Sequence, residues 1–222
     1  MMFHAESEWW LPEGEEHLQK YLTTRNQRVG DRLVYQQNKL LEAMKWVVGP
    51  RRTAVDVGAH VGLWSWTLAR QFSWVIAFEP VKEHRDCWLL NMRDVPNADL
   101  VDVALGDSDR AVRLSRMPGA SMRVSVDKSG EPASMRRLDS FNLKDIDFLK
   151  IDVEGYEYFV CKGGEETLLR CKPTIIVEQK PATGMVEKYG ISETAAVEYL
   201  ESLGAKRRVD NMNGDYVLSW DK

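Results

Sequence analysis

The chain of 222 residues holds three cysteines, Cys87, Cys161 and Cys171, and none stands in C-x-x-C spacing. Thiols so few and so scattered argue against a disulfide framework or a cysteine-based zinc site, and they suit a reducing compartment. No run nears the roughly 18 apolar residues that cross a bilayer. The stretch from Met1 to Glu16 is polar and acidic apart from Trp9-Trp10-Leu11, so no secretory signal is expected. A basic excess is also missing: 30 Lys and Arg face 34 Asp and Glu, a net charge of −4. That argues against general nucleic-acid binding. Internal repeats and low-complexity segments are absent. These absences lead to the expectation of a cytoplasmic protein with neither membrane nor nucleic acid as partner.

What is present is a globular composition, 44% hydrophobic and 29% charged, at a length that suits one domain. Residues 1–50 read as a helical extension or lid, ahead of a main domain at 51–222. Gly14 to Tyr21 reads as a short polar helix. Tyr35 to Val48 carries Leu40, Leu41, Met44 and Val47 at helical spacing. From Thr53 the pattern changes. Short apolar runs at Thr53–Gly58, Trp74–Glu79, Leu100–Leu105, Asp147–Asp152 and Pro173–Glu178 read as buried strands. Helices are expected at Gly62–Phe72, Val81–Met92, Tyr156–Leu169 and Ser192–Leu203, the last with Ser192 as N-cap and Gly204 as stop. A basic insertion at about 108–137, with turn signals at Pro118-Gly119 and Ser129-Gly130, predicts a hairpin or long loop. Lys206–Met212 and Asp215–Trp220 flank Asn213-Gly214, a strong hairpin signal. The sum is an α/β fold. It is a Rossmann-like three-layer sandwich whose seven-stranded, mostly parallel sheet ends in an antiparallel C-terminal hairpin.

The chemistry concentrates at strand ends. Asp56-Val-Gly58-Ala59-His60-Val-Gly62 joins the first strand to its helix, where glycines let a ligand approach the backbone and free N–H groups favour a carboxylate. The spacing is G-x-x-x-G, not the G-x-G-x-x-G of dinucleotide sites, so an adenosyl ligand without pyrophosphate fits better. Glu79 ends the second strand about 20 residues after the glycine turn, where a carboxylate can accept both ribose hydroxyl protons. Asp152 and Glu154 stand at the end of the fourth strand, beside the crevice where such sheets bind ligands.

Val55-Asp-Val-Gly-Ala-His-Val-Gly62, Ala77-Phe-Glu-Pro80, Val103-Ala-Leu-Gly-Asp107, Arg137-Leu-Asp-Ser-Phe141 and Phe148-Leu-Lys-Ile-Asp-Val-Glu-Gly-Tyr-Glu157 occur in this order. Together they closely resemble the FkbM-type methyltransferase family, over roughly Thr53 to Glu178. The resemblance implies a class I fold, which carries the extra hairpin that nicotinamide-type Rossmann domains lack. It implies S-adenosylmethionine as methyl donor, and usually O-methylation of sugars or other small hydroxylated metabolites. Carried onto this chain, Asp56, Gly58, Ala59 and Gly62 would frame the methionine part of the cofactor and Glu79 the ribose. Asp102 to Ala104 would border the adenine, with the Ala104 N–H as partner. Asp152 would sit by the methionine amino group or the sulfonium.

Methyl transfer is an in-line displacement helped by positioning and by exclusion of water. A hydroxyl acceptor needs a base; Glu154 is the first choice, with His60 and Glu178 behind it. No metal site is predicted, although Asp152, Glu154 and Glu178 fall at adjacent strand ends and could hold Mg²⁺. Arg110, Arg113, Arg116, Arg123, Lys128, Arg136 and Arg137 could clamp an anionic acceptor, or form the solvated face of a hairpin. Trp9 and Trp10 could stack on a sugar or pack the arm onto the domain or onto a second subunit of a homodimer. Two alternatives remain open at this point: an NAD-dependent oxidoreductase, and a module that binds the cofactor without catalysis.

Overall fold

The computed structural model describes residues 2–5, 8–30, 32–117, 120–127, 130–180 and 185–221; at 116–117, 120–127 and 185–186 the description is of the backbone. Seven strands form the central sheet. They are β1 (Thr53–Val57), β2 (Trp74–Phe78), β3 (Ala98–Val101), β4 (Ile146–Ile151), β5 (Thr174–Glu178), β6 (Lys206–Val209) and β7 (Asp215–Ser219). Their spatial order is β6-β7-β5-β4-β1-β2-β3. β3, β2, β1, β4 and β5 run parallel, and β7 pairs antiparallel with both β5 and β6. β4 and β5 are buried along their whole length, as parallel strands covered on both faces must be. The expected hairpin forms at Asn213-Gly214, with positive φ at both residues.

Alternate residues of these strands face two separate cores, which makes the sandwich three-layered. One core joins Val55, Leu149, Ile151 and Ile175 to helices α5 (Glu157–Lys162), α6 (Glu165–Cys171) and α8 (Ala195–Ser202). The other face joins Ala54, Phe148 and Ile176 to α2 (Gln37–Met44) and α3 (Leu63–Leu68). α4 (Lys82–Asn91) packs with α1 (Glu16–Arg25) in a further cluster. α7 (Met185–Tyr189) is a single turn ahead of α8.

Several local expectations need correction. The first fifty residues are not purely helical. Two-stranded ribbons, Met2–His4 with Trp10–Pro12 and Arg28–Val29 with Arg32–Leu33, accompany α1 and α2. The third strand ends at Val101; Ala104–Leu105 crosses instead to an outer sheet and pairs with Glu131–Arg136. That sheet is the basic insertion, three antiparallel strands at Arg110–Met117, Ala120–Asp127 and Glu131–Arg136. Pro118-Gly119, Lys128 and Ser129 lie outside the described residues. The helix expected from Tyr156 to Leu169 breaks into α5 and α6 at Gly163-Gly164. A Cβ on Gly163 would stand 1.9 Å from the Gly106 carbonyl oxygen, so the backbone there serves a close approach between segments. Thr194, not Ser192, is the N-cap of α8. The Ser192 hydroxyl turns instead to Glu198 and accepts from the Thr194 N–H. Among the described residues no helix is long and apolar enough to cross a membrane.

Candidate active site

The chain runs outward from β1 through β2 to β3, then returns to β4 on the other side of β1. A crevice opens outside the carboxyl ends of β1 and β4, where doubly wound sheets bind ligands. A cleft opens there, lined by residues from the ends of β1, β2 and β4.

Its floor is the turn after β1. Gly58 has φ +76°, and a Cβ on it would stand 1.9 Å from the Asp152 carbonyl oxygen. Only glycine lets the turn lie this close to the end of β4. The Gly58 and Ala59 N–H groups both donate to the Phe78 carbonyl, at 3.0 and 3.1 Å, which ties the turn to β2. Gly58 and His60 line the cleft. Asp56, Ala59 and Gly62 do not stand among its lining residues. Asp56 is fully buried beneath the turn, where its carboxylate accepts from Ser65 Oγ at 2.7 Å. Ala59 is buried, and Gly62 faces the Trp88 ring.

Glu79 lines the cleft at the end of β2. It also fastens the neighbouring backbone. One carboxylate oxygen accepts from the His60 N–H at 2.9 Å, the other from the Val81 N–H at 2.9 Å, and His84 Nδ1 lies 3.2 Å from the latter. The oxygen bonded to His60 keeps a lone pair for a ribose hydroxyl, whereas the other is already met by Val81 and His84. The His60 ring packs edge-on against His84, centroids 4.1 Å apart. Burial, then His84 and Lys150, hold its pKa well below the usual imidazole value, so it is neutral at pH 7. Its Nε2 is buried without a hydrogen-bond partner.

The far wall comes from Val103, Ala104 and Leu105, with Leu114, Met135 and Tyr156 beyond. Asp102 is exposed and not among the lining residues; the Ala104 segment fills that place. Tyr156 stacks on Phe159 at 4.4 Å, and its hydroxyl receives a bond from Arg110 at 3.3 Å. Of the expected basic clamp, Arg110 thus comes nearest the cleft. Arg113 donates to the Gly130 carbonyl, and Arg136 and Arg137 flank Asp109. The side chains of Arg116 and Arg123 lie outside the description, as does Lys128.

Asp152 and Glu154 line the cleft where β4 ends. Glu154 has φ +56°, a left-handed conformation uncommon outside glycine and worth relating to function. Glu157 holds it so: a carboxylate oxygen of Glu157 accepts from the N–H groups of Val153 and Gly155, each at 3.0 Å. Burial raises the Glu157 pKa to about 7 against these bonds. Asp152, Glu154 and Glu178 each bring a carboxylate oxygen within 4.8 Å of the others. Three such oxygens suit a hard divalent cation. Lys180 already pairs with Glu178, and Lys39 of α2 pairs with Asp215 on the adjoining strand. Burial and neighbouring Asp152 raise the Glu178 pKa, while Lys180 draws it back.

Sequence reasoning assigned no role to Lys150, Glu157, His84 or Tyr35. Lys150 gave a signal, since it is a charged residue inside a fully buried strand. Glu157 gave another as the second acid of the Glu154-Gly-Tyr-Glu157 run. Nothing in the local sequence pointed to Tyr35, whose burial and surrounding acids, Asp152 first among them, raise its hydroxyl pKa. Trp9 and Trp10 do not line the cleft, and Trp64 and Trp66 are core residues.

Known proteins share this fold. A curated relative, Methyltransferase 1 of Beauveria bassiana (strain ARSEF 2860), is 26% identical over 156 residues, 56% of this chain. The chain spans 63% of that protein's length. The crystal structure of methyltransferase FkbM from Methylobacillus flagellatus KT superposes with a TM-score of 0.55 at 16% identity, covering 83% of this chain and 46% of that one. A putative rRNA-methylase from Clostridium thermocellum gives 0.55 at 11% identity over 86% of this chain and 98% of its own. A putative methyltransferase from Streptococcus mutans, solved in complex with SAH, gives 0.50 at 9% identity over 84% and 97%. At these identities the structures establish the Rossmann-like fold. The family model described as the methyltransferase FkbM domain matches residues 56–206, from the buried aspartate under the glycine turn to the first strand of the terminal hairpin, and the chain therefore belongs to that family.

Proposed function

We propose that the chain transfers the methyl group of S-adenosylmethionine to a hydroxyl of a small acceptor, with a sugar or an anionic metabolite as the acceptor class. The observation that carries this reading is that one cleft holds both halves of the required chemistry. Gly58 and Glu79 line it where they would take the methionine and ribose of the donor. Asp152, against Gly58, and Glu154 line it beside them, to face the sulfonium and the acceptor. Ala104 and Leu105 offer an apolar border for the adenine, and the Ala104 N–H its polar partner. Glu154 serves as the general base. His60 is neutral and half-buried beside His84, which suits it to packing against the ribose end. Glu178, its pKa raised, is a poor base at neutral pH. Lys188, which lines the cleft, and Arg110, bonded to the Tyr156 hydroxyl, are cations placed to meet an acidic group there.

A nicotinamide dinucleotide is not favoured, because the turn lacks the glycine spacing that seats a pyrophosphate. Calorimetric titration tests this directly: S-adenosylhomocysteine binds and NADH does not. A labelled-methyl assay over hydroxylated acceptors then tests the transfer. Glu154→Gln is expected to keep cofactor affinity and to lower turnover by about 10²-fold or more. Wild-type turnover in that variant would remove Glu154 as the base. Cofactor binding without transfer to any acceptor would favour the non-catalytic reading.

A further inference from the structure

Beneath the glycine turn lies a charged group that the cofactor contacts do not use. The Lys150 side chain is 6% exposed. Its ammonium donates to the Gly58 carbonyl at 3.1 Å and lies 3.3 Å from Asp56 Oδ1 and 3.6 Å from Asp152 Oδ2. Asp56 is held in turn by Ser65 Oγ, which accepts from the Trp88 ring N–H at 3.0 Å. A chain of buried polar contacts thus runs from α4 under the turn to the end of β4.

We propose that Lys150 is a positioning residue for methyl transfer. It fixes the Gly58 turn and the Asp152 carboxylate in one geometry, and it leaves Asp56, Lys150 and Asp152 with one net negative charge facing the donor sulfonium. The inference rests on the placement of Asp152 beside the methyl donor. Burial alone would lower the Lys150 pKa. Asp56 and Asp152 outweigh it and raise the pKa above the ordinary lysine value, so the charge persists. Glu178 adds to that effect, His60 is neutral nearby, and the Trp64 ring lies 6.0 Å from the ammonium. Asp152 is faced further by Glu154, Tyr35, Glu157, Glu178, Lys180 and Asp215. A single residual negative charge at this depth favours a sulfonium over the neutral sulfur left after transfer. The carboxylates supply that preference, and the lysine holds them and the Gly58 turn in place.

The test uses the full chain and titrates S-adenosylmethionine and S-adenosylhomocysteine by calorimetry from pH 5 to 9, with turnover measured alongside. Lys150→Met leaves the buried Asp56 and the partly buried Asp152 without the cation that joins them. The pH profile of donor binding then departs from that of the wild type, which already carries the Glu157 titration near 7, and Lys150→Arg restores it. Asp56→Asn makes the trio neutral and lowers the preference for the sulfonium form about tenfold. If Lys150→Met only melts earlier, with an unchanged pH profile, the lysine is a structural brace and the inference falls. If Lys150→Met does not fold, Asp56→Asn decides: an unchanged ratio of the two affinities overturns the proposal. Asp152→Asn separates the two levels. If it alters neither donor affinity nor turnover, the placement of Asp152 fails and this inference with it. If it alters them while the Lys150 and Asp56 variants stay at wild-type values, this inference alone fails.

Discussion

Glu79 shows how one side chain can serve the ligand and the scaffold together. Its carboxylate takes backbone N–H groups from the turn after β1 and from the start of α4. Glu79→Ala is therefore expected to weaken S-adenosylhomocysteine binding by about 1–3 kcal/mol and to loosen His60. Calorimetry checks the first effect, and unchanged affinity would remove Glu79 from the site. Glu157 yields a prediction in pH. Its folded pKa of about 7 stands above the ordinary 4.5. Between these values the folded chain keeps a proton that the unfolded chain releases. The contribution is fully present below pH 4.5 and is lost as pH rises through 7, about 3 kcal/mol in all. Melting curves should show Glu157→Gln gaining on the wild type from pH 5 to pH 8, whereas a difference flat with pH would contradict the buried, protonating carboxyl. Glu79, Asp152 and Glu154 were legible in the sequence because each ends a strand, and strand ends are where such sheets bind ligands. Lys150 was visible only as a charge in a buried strand; its role was not, because its partner Gly58 lies 92 residues away and only the β1–β4 register brings them together.

At the scale of elements, the turn after β1 is the tightest point of the site. Gly58→Ala would drive a methyl group into the Asp152 carbonyl. The expected result is a loss of about 1–3 kcal/mol or more in stability and at least about tenfold in S-adenosylhomocysteine affinity, read by melting and calorimetry. A variant with native affinity would show that the two strand ends need not approach so closely. Apolar runs marked the five parallel strands of the sheet, and the Asn213-Gly214 turn marked the two antiparallel ones. The third was misread, because Leu100–Leu105 is apolar but for Asp102 while its two halves belong to different sheets. Pairing partners decide that boundary, and Met135 and Arg136 are 31 residues further on. The break at Gly163-Gly164 was visible as two glycines. The cause, a carbonyl pressed against that position, was not.

For the whole molecule, the residues ahead of β1 are joined to the rest through α4 and the sheet. Trp9 is fully buried, donates to the Leu33 carbonyl at 2.8 Å and lies under the Arg32 guanidinium at 3.7 Å. Asn91 bonds both the N–H and the carbonyl of Trp10. Trp9→Ala is expected to cost about 3–5 kcal/mol in chemical denaturation, and a loss below 1 kcal/mol would mean the arm is not part of the cooperative unit. The tryptophans were visible in the sequence, but which of packing, stacking or subunit contact they served depends on the surface they meet. A different consequence follows from the order β6-β7-β5. β7 is made after β6, yet it alone links β6 to the sheet. On the ribosome, one edge of β5 therefore waits unzipped through almost forty further codons, and Glu178 stays wet until Asp215 has been translated and has emerged.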